Sequence, residues 1–286
     1  MSTQWFELER PPVLAPLFVR AALRQRPRGR SIPAIGARCP VAIDAAHLAR
    51  YRQVCALPDS SNLPPVYPHL LAFGLQLTLL TDRRFPLPLM GLVHVGNQIT
   101  VLRPLRELHR LTLSVQLTQL APHRHGVTFD FLSELRVDQE LVWHASSRYL
   151  SRALGLDQTP EVQTSERRAP AQLPPLAHWF APSDTGRRYA RVAHDFNPIH
   201  MSAASARLFG FPRAIAHGLW NKARAIQALS AHLPEHGYHV AVDFKRPVLL
   251  PAQVQLHASE AGANGEFALT GAPGTLHLHG HWRALS

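Results

Sequence analysis

Apolar and polar positions alternate along four stretches of the chain, and a period of two marks strands with one wet face. Leu111, Leu113, Val115 and Leu117 alternate with Thr112, Ser114, Gln116 and Thr118; Val127, Phe129 and Phe131 resume the pattern after a turn at His125-Gly126. Further on, Val240, Val242 and Phe244 alternate up to Pro247, and Leu276, Leu278, Gly280 and Trp282 alternate with His277, His279, His281 and Arg283. Two segments instead predict helices. Leu70, Leu71, Ala72, Phe73, Leu75, Leu77, Leu79 and Leu80 leave almost no polar face, as in a helix buried on most sides. From His217 to Leu233, the residues Leu219, Ala223, Ile226 and Leu233 recur at helical spacing around Asn221, Lys222 and Arg224. A shorter helix is predicted over Val13 to Leu23.

The two long helices stand at matching points of a repeat. His69 to His217 is an offset of 148 residues, and His94 to Phe244, in the strands that follow, is 150. A helix-then-sheet unit present twice accounts for both. A sheet wrapped around one buried helix is the hot dog arrangement, so the predicted class is α+β: a double hot dog, each unit an antiparallel β-sheet around one long central helix. The expected boundaries are a first unit over 1–157, a proline-rich linker over 158–184 containing Pro160, Pro170, Pro174, Pro175 and Pro182, and a second unit over 185–286.

Composition narrows the class of partner. A hydrophobic fraction of 46% with 17% charged residues, 25 prolines and 16 glycines is that of a globular chain with many turns. Cys39 and Cys55 make neither a metal-spaced set nor a disulfide framework, which fits a reducing, cytoplasmic setting. Glu7, Glu9, Arg10, Pro11 and Pro12 interrupt any secretory signal, and no apolar run is long enough to cross a bilayer, so no membrane role is expected. Lys and Arg total 30 against 19 acidic residues, a net charge of +11, and only Lys222 and Lys245 are lysines. That sign favours an anionic partner. The arginines are dispersed and not interleaved with aromatics in a basic run, which argues against nucleic acid.

The segment Tyr189 to Leu219, YARVAHDFNPIHMSAASARLFGFPRAIAHGL, carries the candidate chemistry. Asn197-Pro198 disfavours helix and predicts an extended turn between Asp195 and His200; Ser202 is a candidate N-cap for a short helix ending at Gly210. Asp195 and His200 place a carboxylate and an imidazole around one rigid turn, close enough to share one water. Gly218 opens the next helix, whose unpaired first-turn amides are fixed dipoles for a developing oxyanion. Each residue type taken alone is ordinary: Asp, Asn and Pro are turn formers, and the chain holds 18 histidines.

The full string resembles the MaoC-like hydratases and dehydratases, which include the (R)-specific enoyl-CoA hydratases. The resemblance rests on Tyr189, Asp195, Asn197, Pro198, Ile199 and His200, then Ala206, Gly210 and Phe211, then Ile215, His217 and Gly218, with Phe244 to Leu256 similar to the strand after the central helix. It implies reversible hydration of acyl thioesters, (2E)-enoyl to (3R)-3-hydroxyacyl, in fatty acid metabolism. Asp195 and His200 would be the dyad, Asn197 would hold the loop and Gly218 the oxyanion site. Tyr189, Pro198, Ile215 and His217 would line the substrate. It implies no cofactor and no metal. The thioester carrier would be coenzyme A or acyl carrier protein, with Arg213, Lys245 and Arg246 as candidate phosphate contacts. Two alternatives stay open: a hot dog thioesterase and a non-catalytic acyl-thioester binder. The resemblance covers roughly residues 38 to 283, and YPHLLAFGLQLTLLT looks like the helix of a first, degenerate unit without the DxNPxH motif. One active site per chain is therefore expected, the first unit standing in for a dimer partner and giving acyl-chain room; a homodimer of such chains also stays open. The sequence departs from the family's pattern where Ala193 and His194 replace Ser and Gly, and where Leu219 replaces Met.

Overall fold

The computed structural model describes residues 3–23, 31–89, 91–106, 108–153 and 173–285. In chain order its elements are β1 (Gln4–Glu7), α1 (Leu14–Leu23), β2 (Ile35–Val41), α2 (Ala45–Cys55), α3 (Tyr67–Leu80), β3 (Val93–Val101), β4 (Leu111–Leu117), β5 (Ala121–His123), β6 (Gly126–Val137) and β7 (Glu140–Ser151). There follow β8 (Pro175–Ala181), α4 (Thr185–Ala193), α5 (Ala203–Arg207), α6 (Gly218–Ala228), β9 (Tyr238–Phe244), β10 (Ala252–Ala258), β11 (Asn264–Gly271) and β12 (Thr275–Ala284).

The described residues fall into two compact units that interleave in sequence. One gathers the described residues within 3–42, 71–99 and 108–153; the other gathers those within 43–70, 100–106 and 173–285. Within the first, strands run in the order β1-β2-β4-β6-β7-β3, with β1 parallel to β2 and the β2–β4, β4–β6 and β6–β7 pairs antiparallel. The predicted alternation is visible in β4, whose Leu111, Leu113, Val115 and Leu117 are buried. A two-residue loop, Asp138-Gln139, joins β6 to β7 with both residues at positive φ, 45° and 74°, the twist a tight hairpin needs.

Within the second unit the order is β8-β10-β11-β12-β9, and all of these neighbours are antiparallel. Leaving aside β1 and the short β5, this repeats the first unit strand for strand: β2, β3, β4, β6 and β7 correspond to β8, β9, β10, β11 and β12. In both, one long helix lies in sequence between the first strand and the second, α3 in one case and α6 in the other. The repeat inferred from residue offsets is thus a repeat of topology.

Three details differ from the sequence reading. Residues 158–172 of the expected linker lie outside the described residues, while Pro175–Ala181 is a strand of the second sheet. Its alternation is short, Trp179 and Ala181 buried against exposed His178 and Phe180, and the flanking prolines conceal it. The helix expected to reach Leu233 ends at Ala228: the Ser230 and His232 amides turn to carbonyls three residues back, Gln227 O and Leu229 O, and Pro234 then disfavours helix at Leu233. The short helix after Ser202 ends at Arg207, and Gly210 takes the left-handed turn at φ 83°. Among the described residues, no helix is long and apolar enough to cross a membrane, and both cysteines are free and buried.

Candidate active site

The loop after α4 is built by its own side chains. α4 ends on His194 in the left-handed conformation, φ 57°, where glycine is favoured, and the next residue is Asp195. Asp195 Oδ1 accepts from the Asn197 amide at 3.3 Å, and Asn197 Oδ1 accepts from the Ile199 amide at 3.4 Å. Asn197, at φ −54° and ψ 127°, therefore caps a 3₁₀ turn over Pro198–His200, with Pro198 at a position where its missing N–H costs nothing. The turn delivers His200 inward, while the Asp195 side chain stays 42% exposed.

Three groups converge there: the carboxylate of Asp195 and the imidazoles of His200 and His217 have polar atoms all within 4.8 Å of one another. His200 Nδ1 lies 2.8 Å from Ile215 O, and a carbonyl only accepts, so Nδ1 carries the hydrogen and Nε2 keeps a lone pair. By the same argument His217 Nε2 donates to Asp195 O at 3.1 Å, and its Nδ1 meets no donor among the described residues. Burial lowers the His200 pKa against the opposing pull of the Asp195 charge. It lowers that of His217 much further, with His200 adding to the effect. Both rings are thus held neutral. They stack at 3.5 Å between centroids, inclined by 23°. An imidazole lone pair lies in its own ring plane, so two nearly parallel rings do not aim at one ion, although the residue types would suit a metal.

The other expected residues divide into two sets. Ile215 supplies the carbonyl that fixes His200, and its amide donates to Ile199 O at 3.0 Å. Tyr189 is buried behind His217, with ring centroids 4.9 Å apart. Gly218 is the first residue of α6, with His217 as N-cap, and a β-carbon there would stand 2.8 Å from the Phe244 ring. These lie together with the dyad. Arg213 is exposed and donates to Pro251 O at 3.4 Å, Lys245 is ion-paired with Asp243 at 2.7 Å, and Arg246 is exposed; none of these three has a polar contact with the dyad groups.

Sequence reasoning missed a set of residues from the first half of the chain that belong to the same compact unit. His47, on α2, donates from Nε2 to Val192 O at 2.8 Å in the last turn of α4, and its Nδ1 accepts from the Tyr67 hydroxyl at 2.7 Å. Burial first, and then the Asp44 charge, push the Tyr67 phenol up to about 12, which keeps it a donor. The His47 ring also stacks on His194, 6.0 Å between centroids at 8°. A second tie runs from the Trp220 indole N–H on α6 to Val54 O on α2 at 2.9 Å. His69, in the first turn of α3, is buried and neutral: burial, then the Lys222 charge, lower its pKa to about 4 against the pull of Asp195. Lys222 on α6 is itself buried, donates to Val240 O at 3.2 Å, and is pushed well below the usual lysine range. Alongside α6 a cavity of about 480 Å³ is lined by Tyr51, Val66, Leu105, Ala223 and Ile226 among others. Tyr51 also faces Tyr189, with ring centroids at 6.3 Å.

A family model described as MaoC like domain matches residues 156–275. The chain is 32% identical over 244 residues to 3-hydroxyacyl-thioester dehydratase X of Mycobacterium tuberculosis, covering 85% of this chain and 86% of that protein. The crystal structure of HtdX from Mycobacterium tuberculosis superposes with a TM-score of 0.74 at 31% identity, over 87% of this chain and 100% of that one. The mitochondrial 3-hydroxyacyl-[acyl-carrier-protein] dehydratase of Arabidopsis thaliana is 33% identical over 73 residues, 25% of this chain and 44% of that protein.

Proposed function

The chain belongs to the MaoC-like dehydratase family, and from that premise we propose that it is a hydro-lyase acting on acyl thioesters, interconverting (2E)-enoyl and (3R)-3-hydroxyacyl forms through one water held by Asp195 and His200. The observation that carries this reading is that the Asp195 carboxylate and the His200 ring have polar atoms within 4.8 Å of one another, while the Ile215 carbonyl occupies His200 Nδ1 and leaves the lone pair on Nε2. One water can hydrogen-bond to both groups across such a gap. In hydration, the water oxygen bonds to the β-carbon, the dyad takes one water proton, and a proton passes to the α-carbon as the π pair moves toward it. Elimination runs the same steps backwards. Negative charge gathers meanwhile on the thioester oxygen, and the free amides that open α6 at Gly218 suit it.

Neutrality of His200 is what the reaction asks of a base, and burial supplies it. The cavity alongside α6, walled by Val66, Leu105, Ala223 and Ile226 together with the polar Arg52, Gln227 and Glu235, is the room this reading gives the acyl chain. The test follows loss of the enoyl chromophore of crotonyl-CoA and longer thioesters beside free-thiol release, with chiral analysis of the 3-hydroxyacyl product. Asp195→Asn and His200→Ala are each expected to lower kcat by roughly a hundredfold or more with the fold retained. Near-normal hydration by either variant, thiol release in place of hydration, or an (S) product would overturn the proposal.

A further inference from the structure

The segment that bears the dyad continues into a ledge that the chemistry leaves unused. After the 3₁₀ turn, α5 and its following turn expose Arg207, Leu208, Phe209, Gly210, Pro212 and Arg213. Leu208 is 83% exposed and Phe209 37%, and Phe196, next to Asp195, is 44% exposed. Single exposed apolar side chains are ordinary on a protein surface, but a Leu-Phe pair with a third large apolar residue on the same loop is not. The ledge is also well tied down. Ser202 caps α5 through the Ser205 amide at 3.0 Å, Ser205 Oγ donates to Pro198 O at 2.7 Å, and the Phe211 amide returns to Ala206 O at 3.1 Å. Those bonds join it directly to the turn that presents His200.

Its charge has one sign. Between Asp184 and Glu235 the only acidic residue is Asp195, whereas Arg187, Arg191, Arg207 and Arg213 are exposed there. Arg187 reaches the same loop, donating to Met201 O at 3.1 Å. A nucleotide carrier would use the arginines and stack its base on one aromatic ring, but would leave Leu208, 83% exposed, in water. A protein surface that is acidic and carries a few apolar residues uses both, since interfaces are enriched in aromatic and arginine side chains.

We propose that the Arg207–Arg213 ledge docks an acidic carrier protein whose phosphopantetheine arm enters the site, so that the acyl thioester arrives on a protein and not on free coenzyme A. This rests on the dehydratase reading above. The test compares crotonyl thioesters on purified acyl carrier protein and on coenzyme A, using the full chain and the variants Leu208→Glu and Arg207→Glu. The expected result is a lower KM for the carrier-borne substrate in the native chain. Each variant should raise that KM about tenfold or more, while coenzyme A kinetics stay within about twofold. Equal handling of both substrates by the native chain, or carrier kinetics untouched by either variant, overturns the docking surface and leaves the dehydratase reading in place. No turnover of either substrate by the native chain sinks both. Light scattering provides the remaining arm: if Leu208→Glu halves the particle mass, the ledge is a contact between copies of this chain and the proposal falls.

Discussion

His47 shows what a single side chain can do for a reaction it does not touch. Its two nitrogens are fixed by a carbonyl and a phenol, so the ring is a rigid spacer between α2, the start of α3 and the end of α4. The last turn of α4 sets where Asp195 begins, and if Asp195 acts as proposed, a displacement of an ångström there is costly. We expect His47→Leu to lower kcat about tenfold or more with little change in KM, and His47→Gln, which keeps an N–H for Val192 O, to recover part of the loss; steady-state kinetics on the enoyl thioester would read both. The Asp195–His200 pair was legible because a short string of turn-forming residues encodes it locally. His47 was not, because its contact with Val192 spans 145 positions and nothing near it in sequence announces a role. His194 falls between these cases. The departure from the usual glycine is visible in the sequence, but its left-handed φ and its stacking on His47 are not.

Among the elements, α6 carries the most consequence. Its first residue has no side chain, and the Phe244 ring occupies the space a β-carbon would need, at 2.8 to 3.1 Å. Gly218→Ala should push that ring aside or tilt the helix start, costing about 1 to 3 kcal/mol of stability and moving the amides proposed to receive the oxyanion. A lowered melting temperature together with a lowered kcat would bear this out; an unchanged pair would remove Gly218 from the site. Elements with clean periodicity were readable: β4 and β6 follow their alternating residues and α3 its largely apolar run, while β9 stands where its alternation predicts but buries Ala241 along with Val240 and Val242. The exceptions have physical reasons. Prolines at 174, 175 and 182 mask β8, whose alternation spans few residues, and the apolar spacing of α6 runs on past its end into turns whose Ser230 and His232 amides donate to carbonyls three residues back.

At the scale of the molecule, the unit that bears the Asp195–His200 turn encloses groups that must remain uncharged. His69 would titrate near 6.5 in the unfolded chain and near 4 when folded, and His217 is lowered as well. Between those values the unfolded state binds protons that the folded state refuses, so stability is greatest above about pH 6.5 and falls as the pH drops toward 4. His69 alone accounts for about 3 kcal/mol of that fall at about 1.4 kcal/mol per pH unit. Urea midpoints at pH 7.5 and 4.5 would measure it, and equal midpoints would contradict the burial of these rings. The interleaving of the two compact units limits what the gene can lose. The repeat without the catalytic motif looks dispensable on paper, but a chain started after it would lack α2 and Tyr67, and Val192 and Trp220 would face solvent where His47 and Val54 had held them. Shortening to the motif-bearing half is thereby closed as an evolutionary route, and truncated expression of that half should yield protein that aggregates.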